Sequence, residues 1–367
     1  MNIQINEQLG QEQSSYVAPY YTLDCALGIN SLGAPKLSPE LGAELLKEVD
    51  LYYCHSHLAE LATNTACYVG TKPEQLTFTN GSLGALELIF NKLLPKEKSM
   101  LGVGPQFVEA VSEFQIAGGT YRSLNMFDYW NEDELLHALK AELKSNPPTI
   151  VYIDNPNNPT GLIYTRTTLM ELCRACNEVG SILLIDEAYG EFLAVEESMI
   201  GATAEFDNLI VLRTFSKGLG LAGIRLGYAV SSKKLAHYLN QSVLPFAPSL
   251  PAIKVANHVL CNMGTYLRDT QEQTQTYKVE LMELLSEHGI EVMPTSIKTP
   301  ILLAYMKGVD LAGWLKKAEI LTCSGSHFHV TCQEVDEQYT RMRVVGNRRD
   351  LVQLDQRIGH LTSQINA

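Results

Sequence analysis

From about residue 75 to residue 230 the chain alternates short apolar runs with helix-like amphipathic stretches, and this alternation constrains the fold more than any single motif. A strand that is apolar along its whole length needs cover on both faces, and a helix between consecutive strands leaves them parallel. The pattern predicts strands over Gln75–Thr79, Ser99–Val103, Thr120–Leu124, Thr149–Asp154, Ser181–Asp186, Asn208–Arg213 and Leu226–Val230, then a helix near Ser232–Asn240. Pro245, Pro248 and Pro251 read as a hinge. With 367 residues, more than one ordinary domain is expected. The predicted fold is α/β: a polar amino-terminal arm (1–35), a large domain (36–245) with a mostly parallel seven-stranded sheet covered by helices, and a smaller α/β carboxyl-terminal domain (246–367).

In open α/β sheets, ligands bind beyond the carboxyl ends of the strands, so those ends are where chemistry is expected. Two of them carry polar groups. Thr149–Asp154 runs into Asn155-Pro156-Asn157-Asn158-Pro159-Thr160-Gly161, ahead of a helical stretch with Leu169, Leu172, Cys173 and Cys176 on one face. Ser181–Asp186 ends in Asp186-Glu187-Ala188-Tyr189. Asp186 at a strand tip can pair with a protonated ring nitrogen, or be a solvated strand terminus; the Asn-Pro segment can meet a ligand, or merely join strand to helix.

Lys217 lies in Thr214-Phe215-Ser216-Lys217-Gly218-Leu219-Gly220-Leu221-Ala222-Gly223-Ile224-Arg225-Leu226-Gly227-Tyr228. An amine in small, apolar surroundings loses some preference for the charged form and can attack a carbonyl to make a Schiff base. Thr214, Ser216 and Arg225 suit a phosphate, and an aldehyde carrying a phosphate describes pyridoxal 5'-phosphate (PLP). A Gly-rich loop with a surface lysine is the plain alternative. After the strand-like Gln75–Thr79 comes Asn80-Gly81-Ser82-Leu83-Gly84, then Leu83, Leu86, Phe90 and Leu93 at helical spacing. Its glycines allow close backbone approach, and the first N–H groups of a helix attract an anion. Ser82, the backbone of Leu83, Thr214, Ser216 and Arg225 form the expected phosphate set; a planar guanidinium can meet two phosphate oxygens.

Taken together, Asn-Pro-Asn-Asn-Pro-Thr-Gly, Asp-Glu-Ala-Tyr, Phe-Ser-Lys with its downstream Arg-Leu-Gly-Tyr, and Met342-Arg343-Val344-Val345-Gly346 resemble the fold-type I PLP enzymes. The likeness is to the class I/II aminotransferases, in their histidinol-phosphate aminotransferase and threonine-phosphate decarboxylase branch, and it runs from about Asn30 to the end. It implies that Lys217 forms the Schiff base with PLP and Asp186 pairs with the pyridine nitrogen. Asn158 and Tyr189 match the residues that hydrogen-bond the ring's phenolic oxygen, and Phe107 of Gly104-Pro105-Gln106-Phe107 matches the one that stacks on the ring. Tyr53 aligns with a tyrosine that reaches the phosphate of the neighbouring subunit, which implies a homodimer; Cys54 replaces the usual proline after it. Arg343 is the candidate for the substrate α-carboxylate, because a bidentate arginine fixes both position and orientation. Asn30, in Asn30-Ser31-Leu32-Gly33, matches the start of a substrate-side segment.

The resemblance implies an amino acid substrate and, first, a transaminase in which Lys217 moves the α-proton and a 2-oxo acid is released. Decarboxylation and oxygen-dependent oxidation use the same residues with a different bond aligned. Cys323 stands where the relatives place an arginine, which weakens the case for a phosphorylated substrate. Asp24, Glu7 and Glu12 leave room for a cationic side chain such as that of arginine, which makes the arginine oxidase, hydroxylase or cyclase offshoots of the same fold the runner-up. The remaining alternative is a cofactor-free binding protein on the same scaffold.

Bulk properties exclude other classes. A net charge of −13 argues against nucleic acid as a partner. No apolar run reaches the ~18 residues of a membrane span, and the amino terminus lacks the basic and apolar regions of a signal peptide, so the cytoplasm is expected. Cys173 and Cys176 form a Cys-x-x-Cys pair within a helical pattern, neither His55/His57 nor His327/His329 neighbours an acidic or cysteine cluster, and no metal is expected.

Overall fold

The computed structural model describes residues 23–365. Its strands are β1 (Leu23–Asp24), β2 (Leu76–Thr79), β3 (Ser99–Gly104), β4 (Thr120–Asn125), β5 (Ile150–Asp154), β6 (Ile182–Asp186), β7 (Leu209–Thr214), β8 (Gly227–Ser231), β9 (Glu291–Val292), β10 (Ile301–Tyr305), β11 (Ile320–Leu321), β12 (Cys323–Ser324) and β13 (Tyr339–Arg343). Strands β2 to β8 form the seven-stranded sheet, in the order β2-β8-β7-β6-β5-β3-β4. Each lies within one residue of its expected bounds. Strand β8 runs antiparallel to both neighbours, β7 and β2, and the other pairings are parallel.

The apolar runs are continuous because both sheet faces are buried. On β5, Val151 and Ile153 pack into one core with Leu183, Ile185 and Val211; Ile150 and Tyr152 pack into another with Leu184, Ile210 and Leu212. This second face is covered by the helices Gly81–Leu88 and Val108–Ile116, through Leu86, Val111 and Phe114. Truncating a fully buried leucine such as Leu184 to alanine is expected to cost about 2–5 kcal/mol.

The smaller layer has a four-stranded sheet, β12-β13-β10-β9, and a two-stranded pairing of β1 with β11. Two features bear on the expected division of the chain. Ala252, Ile253, Ala256 and Val259 of the helix Leu250–Asn262 are buried in the large-sheet core, so packing divides the chain later than residue 245. Residues 1–22 of the expected arm lie outside the described residues, but Cys25 belongs to the smaller core with Leu302 and Met342.

Lys278, fully buried, joins the layers. Its Nζ donates to Thr295 Oγ1, Thr299 Oγ1 and the Ile301 carbonyl at 2.7–2.8 Å, and Thr299 Oγ1 donates in turn to the Gly161 carbonyl at 2.9 Å. Gly161 has φ +76, and a Cβ there would lie 2.4 Å from the Ile301 carbonyl oxygen. The turn after β5 is thereby pinned where it leaves the sheet.

Candidate active site

The carboxyl ends of β5, β6 and β7 open onto a cavity of about 150 Å³. Ser82, Leu83, Phe107, Asn158, Asp186, Tyr189, Thr214, Ser216, Lys217 and Arg225 all line it, though they come from five separate stretches of chain. The Lys217 amine lies 5.5 Å from the centroid of the Tyr189 ring. Asp186 Oδ2 accepts the Tyr152 hydroxyl at 3.0 Å, and Oδ1 accepts the Ala188 N–H at 3.0 Å. Burial pushes the Asp186 carboxyl up to about 6, against the opposing pull of Tyr152, Ala188 and Lys217.

At the other end of the cavity, the helix Gly81–Leu88 begins without a side-chain cap, which leaves its first N–H groups for an anion. Thr214 Oγ1 donates to Ser216 Oγ at 2.9 Å, and Arg225 Nη1 reaches the Ala222 carbonyl at 3.0 Å and Ser216 Oγ at 3.4 Å. Arg225 adopts φ 52, a left-handed conformation that costs energy in a non-glycine residue and clusters at functional sites. Gly81 makes room for it: a Cβ there would sit 2.9 Å from Arg225 Nη2.

Two expected site residues, Arg343 and Asn30, are engaged by other groups of this subunit. Arg343 donates to the carbonyls of Asp24 and Val344 and lines a separate cavity of about 240 Å³. Arg341, which the sequence reading passed over, instead donates from Nη1 to Asn158 Oδ1 at 3.0 Å and from Nη2 to the Ala26 carbonyl. Both arginines lie on one face of β13, and the strand register brings the earlier one to Asn158. Asn30 is spent on holding the chain: its amide donates to the Gly218 carbonyl at 2.9 Å and its oxygen accepts the Leu32 N–H at 2.9 Å. Tyr53 Oη reaches the Ala247 carbonyl at 3.4 Å, away from this subunit's own cavity.

Two further residues, Gly28 and Asp154, belong to the site and were not legible in the sequence as site residues. Gly28 packs so closely that a Cβ would lie 2.5 Å from Tyr189 Oη and 2.9 Å from Lys217 Nζ; a glycine without a motif around it carries no sequence signal. Asp154, a strand end in the sequence, lines the cavity. It is the in-register neighbour of Asp186, which was the available clue. Burial pushes its carboxyl up to about 7, opposed by hydrogen bonds from Asn158 and Asn157.

Of the groups considered for the substrate side chain, Asp24 is occupied, its Oδ1 accepting the Ala26 and Leu27 N–H groups, and Glu7 and Glu12 lie outside the described residues. Cys323 is buried with Val108 and Phe328. A larger cavity, about 420 Å³, lies beyond Gly190 and Glu191, beside the buried ion pairs of Arg213 with Glu187 and Glu191, and contains neither Lys217 nor Asp186.

The family model for aminotransferase class I and II matches residues 38–354. The chain belongs to that family. It is 28% identical over 281 residues to a histidinol-phosphate aminotransferase 1 of Bacillus cereus, covering 76% of this chain and 74% of that one. With histidinol-phosphate aminotransferase 1 of Cupriavidus pinatubonensis it shares 31% over 270 residues, or 73% and 70% of the two chains. Among solved structures, Sinorhizobium meliloti histidinol-phosphate aminotransferase in complex with PLP superposes with a TM-score of 0.81 at 18% identity, covering 100% of this chain and 99% of that one. L-threonine-O-3-phosphate decarboxylase of Porphyromonas gingivalis gives 0.74 at 19%, covering 93% and 99%.

Class I/II membership and the fold-type I architecture make this chain a PLP-dependent transferase. Its cavity fits the cofactor: Asp186 is a buried carboxylate bonded only to neutral donors, which a protonated pyridine nitrogen would complement, and an uncapped helix start beside Arg225 suits the phosphate. Among the described residues no helix is long and apolar enough to cross a membrane.

Proposed function

We propose that this cavity performs the aminotransferase reaction on an amino acid, with Lys217 as the residue that bonds the cofactor and moves the proton at the substrate α-carbon. PLP, when bound, supplies the electron sink that stabilises negative charge at that carbon. The Asp186 carboxylate holds the ring nitrogen in its protonated form, the Asn158 amide and Tyr189 hydroxyl hold the phenolic oxygen, and Phe107 covers the ring. Ser82, the Leu83 N–H, Thr214, Ser216 and Arg225 bind the phosphate. Arg341, in place of Arg343, receives the substrate α-carboxylate, because it reaches the cavity wall through Asn158. Tyr53 contributes to the partner's phosphate site in a homodimer, and the enzyme works in the cytoplasm.

The observation that carries this reading is the placement of Lys217 and Asp186 in one cavity that ends at an uncapped helix start. Purified protein given PLP is expected to turn yellow, and Lys217→Ala to lack that visible band and essentially all turnover. Protein that stays colourless with added PLP would contradict it. An amino-acid panel read together for 2-oxo acid, carbon dioxide and oxygen uptake identifies the bond broken; 2-oxo acid without the other two is expected.

A further inference from the structure

Phe107 follows β3 and Asn158 lies in the turn after β5, yet they form two walls of one slot. A single atom joins them. Asp154 Oδ2 accepts the Phe107 N–H at 3.0 Å and the Asn158 N–H at 2.9 Å, while Oδ1 accepts Asn157 Nδ2 at 2.9 Å. The same Asn157 amide donates to the Pro105 carbonyl at 3.0 Å, so both oxygens of Asp154 tie the two turns together.

Asp154 is 4% exposed, and a carboxylate is costly to desolvate at such a position. The bonding pattern explains why one is kept. All three partners are donors, and a carboxyl group brings two oxygens to accept them. An asparagine could still accept the two main-chain N–H groups but would set its NH₂ against that of Asn157. Asn157 cannot readily turn over, because its Oδ1 already accepts the N–H and hydroxyl of Thr160.

We propose that Asp154 is a positioning residue that sets the width of the PLP slot, holding the ring-stacking Phe107 and the phenolic-oxygen partner Asn158 with one carboxylate. This rests on the reading of the cavity as the PLP site. The two carboxylates at the strand tips then have separate tasks: Asp186 meets the ring nitrogen, and Asp154 holds the walls.

The test is a thermodynamic cycle read by PLP affinity and by visible circular dichroism of the bound cofactor. Asp154→Ala is expected to weaken PLP binding about tenfold or more, the loss expected for unpairing a buried charge-assisted hydrogen bond. It should also reduce the dichroic band. In a Phe107→Ala/Asn158→Ala background the same substitution is expected to change affinity by less than about twofold, since the walls it positions are gone. Asp154→Asn, which keeps an acceptor for both main-chain N–H groups, should stay within about threefold of wild type. An equal penalty in both backgrounds, a tenfold loss in Asp154→Asn, or wild-type binding by Asp154→Ala would each overturn the proposal. If Asp154→Ala lacks a cooperative melt without PLP, Asp154→Ser takes its place in the cycle. Wild-type protein that binds no PLP would instead remove the cofactor-site reading itself.

Discussion

Asp154 and Asp186 are neighbours across two strands, whereas Arg341 and Arg343 are neighbours along one. The carboxylates sit at the same height on adjacent parallel strands, in register, and both line the same cavity. The arginines share a face of β13, but alternate residues on a strand are about 7 Å apart, so they reach different places. One meets Asn158 and the other the carbonyl of Asp24. Parallel strands that end together concentrate side chains at one point; successive positions on a single strand spread them out.

The sharpest way to break this comparison is to remove each arginine. Arg341→Ala is expected to raise KM for the amino acid about 100-fold, the scale of a lost charge-assisted carboxylate pair. Arg343→Ala should change KM by less than about threefold while lowering the melting temperature, because it leaves the Asp24 carbonyl without its buried donor. The opposite pattern in steady-state kinetics would return the carboxylate to Arg343.

The carboxylates separate by pH. Pairing with a protonated ring nitrogen lowers the carboxyl pKa of Asp186 from about 6, so PLP affinity is complete above pH 6 and falls as pH drops, by up to about tenfold per unit. Asp186→Asn should bind more weakly and lack this part of the slope, which equilibrium titrations from pH 5 to 8 would reveal. Identical slopes would disconnect Asp186 from the ring nitrogen.

The smallest effect concerns Asp154 in the PLP-free protein. Burial holds its folded carboxyl at about 7, above the ordinary 3.8, so its contribution to stability is complete below 3.8 and is lost as pH rises through 7. Asp154→Asn cannot lose a proton there. The melting temperature of the variant relative to wild type should therefore rise by a few degrees between pH 4 and pH 8; a constant difference would show that Asp154 titrates normally.

The centre of the large sheet was legible because β5, β6 and β7 are apolar for most of their length and end in polar residues, whereas the edge strand β4 carries Arg122 and Ser123 and is not buried. The cavity was legible for the same reason, since Asp186, Asn158 and Lys217 follow directly from strand tips. Gly28, Asn30 and the choice between Arg341 and Arg343 depend on how segments distant in sequence lie against one another. Asn30 illustrates this: its amide is satisfied by Gly218 and by Thr270, far away in the chain. Asp154 falls between the two cases, visible as a strand tip but interpretable only once β5 and β6 are known to be in register.

The most direct test is a crystal structure of the protein with PLP and an unreactive amino-acid analogue. The account predicts density continuous from Lys217 Nζ, or from the analogue that displaces it, to the cofactor, with Asp186 on the ring nitrogen and the analogue's carboxylate on Arg341. A carboxylate seated on Arg343, or a ring nitrogen away from Asp186, would contradict it.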